Sequence, residues 1–259
     1  FTFFIKESEK FYVERVNIFG NNVTQEEFIR NQLIVDEGDP FNVLLHNKSL
    51  NNLKSKGIFG SAESKIRDGS ENGQKIIDIT ITEKPTGEIS AGAGYGSSGS
   101  TLSFGIKENN FNGKGINLNT NLSITEESIR GMFAYTHPNF AYSDRSLTTS
   151  IQSTVTDKEK DYGYKSSLNS ISLGTGYEQY KDLYFYPSIS ISGESLTTTA
   201  NASANYKKQE GSYFDTLFNY SITYDKRNSR YQPTDGFKST WLQNLPILAD
   251  NSTILNGYA

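Results

Sequence analysis

Residues 115–125 read "GINLNTNLSIT", and their pattern decides the fold of most of the chain. Apolar residues occupy alternating positions at Ile116, Leu118, Leu122 and Ile124, whereas Asn and Ser side chains fill most positions between them. A period of two predicts a β-strand with one apolar and one polar face. Similar runs recur at 128–137, 146–156, 166–178, 183–195, 213–225 and 237–246, with turn residues between them.

The polar faces of these strands distinguish between two classes of β-protein. A soluble β-sandwich turns Lys and Glu outward, but here the polar positions hold mainly Asn, Ser, Thr, Gly and Tyr. Charged residues collect in turns such as "TDKEKDY" and "YKKQEG". This pattern is typical of a transmembrane β-barrel, with Tyr residues and Trp241 available for interfacial belts. Residues 86–259 therefore predict nine strands of an antiparallel barrel and a tenth cut short.

Residues 92–99, "GAGYGSSG", contain the dinucleotide-binding spacing G-x-G-x-x-G at Gly94, Gly96 and Gly99. That spacing binds a pyrophosphate only when a helix opens at the last glycine. Here "STLSFGI" follows, and its alternation predicts another strand. The glycines are therefore predicted to belong to a β-hairpin.

Residues 8–84 follow a different pattern and predict the order β-α-α-β-β. Thr24 is the expected N-cap of the first helix, with acidic residues following it. Gly57 is the expected residue after the second helix. The apolar residues expected near the core are Phe11, Val13, Ile18, Phe19, Phe28, Ile29, Leu33, Ile34, Leu44, Leu45, Leu50, Leu53, Ile77, Ile79 and Ile81.

Composition narrows the possible functions. The chain of 259 residues has no Cys, a net charge of −4 and two histidines, His46 and His137. No disulfide, metal site, cofactor or nucleic-acid partner is therefore predicted. The acidic residues Asp157, Glu159 and Asp161 alternate with Lys and lack the pattern of a Ca²⁺ loop. The absence of an initiator Met or secretion signal in "FTFFIKE", and a last strand that stops at "STILNGYA", predict an internal fragment.

Several motifs, in order, resemble the BamA family of outer-membrane protein assembly factors. "YVERVNIFGNNVTQEEFIR", "EGDPFN" and "LKSKGIFG" resemble a membrane-proximal POTRA domain. "EKPTGEISAGAGYGSSGSTLSFGIKENNFNGKG" is similar to the family's junction and first barrel hairpin, and "THPNF" and "YDKRNSRYQPTDGF" resemble later periplasmic turns. The resemblance implies the end of a preceding POTRA domain at 1–7, a POTRA domain at 8–84 and the N-terminal part of a barrel at 86–259.

The resemblance also implies a function without catalysis, namely the folding and insertion of other outer-membrane β-barrel proteins. Its implied partners are unfolded outer-membrane protein clients, accessory outer-membrane lipoproteins and outer-membrane lipids. The implied location is the outer membrane, with the POTRA domain in the periplasm. The first strand would then run outward, so that "NNFNGKG", "HPNFAYSD", "YKD" and "NSRYQPTDG" face the periplasm.

The resemblance makes the first barrel strand the candidate site, because this strand forms the family's seam. We expect its edge to pair with client strands by β-augmentation. Glycines on one face would weaken the competing pairing, although they could equally make room for a close neighbour or a bend. The candidate residues are Glu88, Ile89, Ser90, Ala91, Gly92, Ala93, Gly94, Tyr95 and Gly96.

Two other functions remain open from the sequence. A TamA-type or two-partner secretion transporter would share POTRA units and a barrel. A passive ten-stranded pore would need the barrel to close at its tenth strand. The number of POTRA units and of later strands in the complete sequence would separate these possibilities from an assembly factor.

Overall fold

The computed structural model describes residues 10–96, 99–228, 233–249 and 256–258. Its first compact unit consists of the described residues up to Thr86 together with Asn109–Gly115. The second consists of Gly87–Glu108 and the described residues from Ile116 onward. The preceding-domain strand predicted at residues 1–7 lies outside the described residues.

The first unit has the predicted order of elements. Its sheet order is β1-β3-β2, with β1 parallel to β3 and β2 antiparallel to β3. The elements are β1 (Tyr12–Phe19), α1 (Glu26–Arg30), α2 (Val43–Ser55), β2 (Phe59–Asp68) and β3 (Gln74–Glu83).

The core of this unit lies between the sheet and its helices. Ile77, Ile79 and Ile81 on β3 are buried, as alternation predicts. A register shift in β1 between Val13 and Arg15 keeps both Val13 and Val16 in the core. Residues buried with them include Phe28, Ile29, Leu53, Ile58, Phe59 and Ala62.

The buried face of α2 differs from the prediction. Leu44 is 78% exposed and Leu45 is 40% exposed, whereas His46, Ser49 and Leu53 are buried. The buried polar side chains are satisfied, because His46 Nε2 lies 2.6 Å from Ser64 Oγ and Ser49 Oγ accepts the Ile34 N–H at 2.8 Å. These partners allow polar residues on the inner face.

The end of α2 agrees with the prediction, whereas the start of α1 differs from it. Gly57 follows α2 with a φ of +71°, a conformation that glycine adopts without steric cost. Gln25, not Thr24, is the N-cap residue of α1, and its side chain makes no capping hydrogen bond. Thr24 instead forms contacts that are described below.

The second unit is a sheet of ten strands in which neighbours along the chain are neighbours in space. The pair β4–β5 and all pairs from β6–β7 to β12–β13 are antiparallel. The strands are β4 (Gly87–Gly96), β5 (Gly99–Phe111), β6 (Ile116–Thr125), β7 (Ser128–His137), β8 (Ser146–Lys158), β9 (Tyr164–Tyr180), β10 (Leu183–Thr198), β11 (Gly211–Asp225), β12 (Lys238–Ala249) and β13 (Asn256–Tyr258).

In the part of the second unit that the structure describes, helical structure is limited to single turns, as predicted. The short helices are α3 (Glu159–Tyr162), α4 (Ala204–Lys208) and a 3-10 turn at Phe140–Tyr142. Among the described residues, no helix is long and apolar enough to cross a membrane. The G-x-G-x-x-G spacing falls on β4 and the start of β5, so no helix opens at Gly99. The hairpin prediction is thereby confirmed.

The register of the second sheet separates an apolar face from a polar face. Ile151 on β8, Ile171 on β9 and Ile191 on β10 lie opposite one another in one row. These three side chains are 49%, 47% and 41% exposed. On the polar face, Ser150 hydrogen-bonds Ser172 at 2.7 Å. A continuous exposed apolar row indicates a surface that meets something other than water.

Candidate functional site

All nine predicted site residues lie on β4, which ends the order of the ten-stranded sheet. On one side β4 pairs with β5, from Gly87 opposite Glu108 to Gly96 opposite Gly99. Every residue of β4 is exposed. The structure therefore brings the candidate residues together as one edge.

The direction of the backbone groups on β4 follows from the base of the hairpin. The Asn109 N–H donates to Thr86 O at 3.3 Å, in register with the first β4–β5 pair. Hydrogen-bonded and non-hydrogen-bonded pairs alternate along an antiparallel ladder. Even-numbered β4 residues therefore bond to β5. Among the nine candidate residues, those with N–H and C=O groups directed to the free edge are Ile89, Ala91, Ala93 and Tyr95.

The same four residues carry the side chains of the apolar face. Ala91 lies opposite Phe104 and Ala93 opposite Leu102, which are both exposed. Ile89 is 83% exposed and Tyr95 is 86% exposed. A strand that paired with this edge would thus extend both the hydrogen-bond ladder and the apolar face.

Gly92, Gly94 and Gly96 lie on the polar face of β4, and the structure allows their two interpretations, weak pairing or room for a close neighbour, to be compared. A Cβ on Gly94 or Gly96 would meet no described atom within 4 Å. A Cβ on Gly92 would meet only Ser103 Oγ, at 2.9 Å. None of the three has a positive φ. Neither close packing nor backbone conformation in the described structure thus requires glycine at Gly94 or Gly96.

The chemistry available at this edge is that of the backbone. The described residues contain no group of three or more His, Asp or Glu side chains arranged to hold a metal ion. Exposed N–H and C=O groups on an edge strand can instead form hydrogen bonds with another strand. Strand addition is therefore the recognition mode that fits this site.

Comparison with known proteins identifies the family. The Omp85 superfamily domain matches residues 110–256, which is more than half of the chain. The chain belongs to the Omp85 superfamily. A second match covers residues 11–84 and is the POTRA family, described as a surface antigen variable number repeat. The resemblance inferred from the sequence motifs is confirmed.

Curated relatives of this chain include outer-membrane protein assembly factors named BamA. The protein of Neisseria meningitidis serogroup B is 23% identical over 93% of this chain and 29% of its own length. The protein of Neorickettsia risticii is 24% identical over 91% of this chain and 32% of its own length. The chain thus spans about a third of the length of these relatives.

Solved structures show the same fold. BamA from Haemophilus ducreyi lacking POTRA domains 1–3 superposes with a TM-score of 0.75 at 24% identity, covering 93% of this chain and 49% of that one. CdiB from Acinetobacter baumannii gives a TM-score of 0.56 at 11% identity, covering 93% and 47% of the two chains. The first unit is a POTRA domain and the second is part of an Omp85 β-barrel.

Family membership explains the exposed apolar face. An Omp85 barrel lies in the outer membrane with its POTRA domain in the periplasm, and an exposed apolar row such as that of Ile151, Ile171 and Ile191 is typical of the outer face of such barrels. The strand alternation predicted this face correctly. Sequence analysis missed Glu83 and Asn110, whose contacts with Thr24 emerge only from the folded chain.

Proposed function

We propose that this chain is part of a non-enzymatic factor that folds and inserts other outer-membrane β-barrel proteins. In this proposal, unfolded outer-membrane proteins are clients, and β4 offers them its edge. Accessory outer-membrane lipoproteins and membrane lipids are further proposed partners. The names of the BamA relatives support the general activity, and the geometry of β4 supports the site.

The phase of the β4–β5 ladder is the observation that carries the proposal. It follows from the bond between Asn109 N–H and Thr86 O, and it directs the backbone of four of the nine candidate residues outward. An unpaired backbone group in lipid costs several kcal/mol. A client strand that enters the membrane therefore gains from a template that already presents N–H and C=O groups in register.

Ala93→Pro in the full-length protein tests the proposal. Proline removes one outward N–H and fixes φ near −65°, but it leaves the β4–β5 hydrogen bonds in place. We expect client assembly to be abolished while the variant itself still inserts as a folded barrel. Assembly is measured as the rate at which a client becomes protease-resistant in proteoliposomes.

Two variants serve as matched controls. Gly94→Pro removes an N–H that bonds to β5, so it should lower the heat stability of the barrel itself, which Ala93→Pro should not do. Ile89→Val keeps the apolar face and removes about one methylene, worth about 1 kcal/mol, so it should be almost silent. Normal client assembly by the Ala93→Pro protein would contradict the proposed role of β4.

Crosslinking gives a second test of the same proposal. Single cysteines at Ser90, Gly92 and Gly94 should form disulfides with cysteines in a stalled client at one fixed register, since strand pairing fixes register. The transporter alternative, whose fold likeness is seen in CdiB, gives no reason for such a ladder. Absence of client crosslinks along β4 would count against strand addition.

A further inference from the structure

The segment Asn109–Gly115, "NNFNGKG", consists of the last three residues of β5 and the turn before β6, and it belongs to the POTRA unit. It forms backbone and side-chain hydrogen bonds with the loop before α1. The Gln25 N–H donates to Gly113 O at 2.8 Å, and Gln25 Nε2 donates to Asn112 O at 3.0 Å. The side chain of Asn110 makes a further contact with the same loop.

Asn110 is a buried polar residue, 6% exposed, and both ends of its amide are engaged. Its Nδ2 donates to Thr24 Oγ1 at 2.9 Å, and its Oδ1 accepts the Gly115 N–H at 2.8 Å. Thr24 is also buried. A buried amide of this kind is costly to leave without partners, so the pair Thr24–Asn110 holds the segment against the loop before α1 within the same unit.

The shape of the segment matches the surface it covers. Gly113 has a φ of +71°, and a Cβ there would collide with the backbone O of Val23. Gly115 has a φ of +63°, and a Cβ there would collide with the ring of Phe28. Glycine is thus required at both positions for close approach.

Glu83 holds the same loop from the other side. Its carboxylate accepts the N–H groups of Asn22 at 3.0 Å, Val23 at 2.9 Å and Thr24 at 2.6 Å. Burial favours a higher pKa for Glu83, but the hydrogen bonds from Thr24, Val23 and Asn22 outweigh it and lower the pKa below its usual range. Thr24 therefore links the end of β3 to Asn110.

These contacts meet at the base of the β4–β5 hairpin. Thr86 directly precedes β4, and its carbonyl accepts both the N–H and the Nδ2 of Asn109, at 3.3 and 3.2 Å. Both strands of the hairpin therefore leave from residues that belong to the POTRA unit. We call the set Thr24, Glu83, Asn109, Asn110 and Gly113 the hairpin anchor.

We propose that Thr24 and Asn110 are positioning residues, which hold the hairpin anchor closed so that Thr86 and Asn109 stay paired at the base of the hairpin and β4 keeps one register. This role rests on the proposed function. Template pairing needs a preorganised strand, because a loose one must lose more conformational freedom when it binds. With the anchor open, the same edge would remain present but would capture clients more slowly.

A pair of substitutions at Thr24 separates this role from simple packing. Thr24→Val keeps the shape and removes the hydroxyl, whereas Thr24→Ser keeps the hydroxyl. In the full-length protein, we expect Thr24→Val to slow client assembly about fivefold, the effect of one net hydrogen bond, and Thr24→Ser to restore most of the rate. Equal rates for the two variants would overturn the proposal.

A disulfide introduced in place of the Thr24–Asn110 hydrogen bond should restore client assembly, which a purely structural role of these residues would not predict. The protein has no native Cys, so Thr24→Cys combined with Asn110→Cys introduces the two thiols of interest. We expect near-normal client assembly when they are oxidised and a loss after reduction. The control is Thr136→Cys with Thr148→Cys, a hydroxyl pair 3.3 Å apart within the barrel sheet, which should assemble clients equally in both states.

Hydrogen exchange makes the test independent of client assembly. In Thr24→Val we expect the Gln25 amide, which bonds Gly113 O, to exchange faster than in the native protein. An unchanged exchange rate of this amide would overturn the proposed role of Thr24. Equal client assembly by the oxidised and reduced forms of the Thr24→Cys, Asn110→Cys variant would overturn it as well. If the native protein assembles no clients, the proposed function fails, while the exchange result still decides whether the anchor exists.

Discussion

His46 is a buried titratable side chain in the POTRA core. It is 3% exposed, its Nε2 lies 2.6 Å from Ser64 Oγ, and its ring is tilted against Phe41. Burial lowers its pKa below the usual 6.5. As the pH falls below 6.5, the unfolded chain takes up this proton more readily than the folded POTRA domain does. Stability should therefore decline as the pH falls from 6.5 towards the folded-state pKa.

His46→Gln should remove this part of the pH dependence. Gln can still hydrogen-bond Ser64 but does not titrate, so we expect a cost of about 1 kcal/mol at pH 7.5 and a flatter stability profile between pH 7 and 5. The measurement is thermal unfolding of the POTRA domain within the full-length protein at several pH values. A profile as steep as that of the native protein would assign the pH dependence to other groups.

The residues that sequence analysis misplaced are those whose roles depend on distant partners. Leu44 and Leu45 fit an apolar helical stripe, but the face of α2 that reaches the sheet carries His46 and Ser49. Those polar residues are stable inside because Ser64 and the Ile34 N–H are within hydrogen-bonding distance. A pattern of apolar residues along one segment contains no information on such partners.

At the scale of elements, the stability of strand β4 is lowered by glycines that have no side chain to pack. Gly94 and Gly96 have free space around their Cα atoms, so Ala fits at both positions without displacing a described atom. Glycine within a strand is less stable than Ala by about 0.5–1 kcal/mol. Under the proposed function, glycine at both positions weakens the pairing that competes with a client strand for the outward edge of β4.

The double substitution Gly94→Ala, Gly96→Ala should consequently slow client assembly, by about tenfold if both effects add, while it stabilises the barrel. Gly131→Ala and Gly193→Ala are matched controls, because they also fill open space but lie in the inner strands β7 and β10. We expect the controls to leave assembly unchanged. A double variant that assembles clients at the native rate would show that weak pairing of β4 is not needed.

The predictable elements are those specified by local pattern. Alternation in "GINLNTNLSIT" and its counterparts predicted the barrel strands, since a period of two determines which side chains share a face. The parallel pairing of β1 with β3 was not predicted, because it joins residues about sixty positions apart. The contacts of Asn110 and Gly113 with Thr24 and Gln25 were not predicted for the same reason, because they join residues more than eighty positions apart.

At the scale of the whole molecule, the antiparallel order of the barrel strands determines at which end of the sheet each connection lies. The connection after β5 is residues 112–115, which belong to the same compact unit as the POTRA domain. Connections after β7, β9 and β11 follow two, four and six strands later, so they lie at the same end of the sheet. The POTRA domain is periplasmic in this family, and we therefore predict that these connections face the periplasm and the alternate ones face outward.

Single cysteines on intact cells test this orientation. Lys160 lies in α3 between β8 and β9, and Asn228 follows β11; both are exposed, and the native chain has no Cys. Lys160→Cys should react with a membrane-impermeant maleimide on intact cells, whereas Asn228→Cys should react only after the outer membrane is permeabilised. The permeabilised sample shows that both thiols are reactive. Labelling of Asn228→Cys on intact cells at the rate of Lys160→Cys would reverse or abolish the predicted orientation, and with it the periplasmic position of the hairpin anchor.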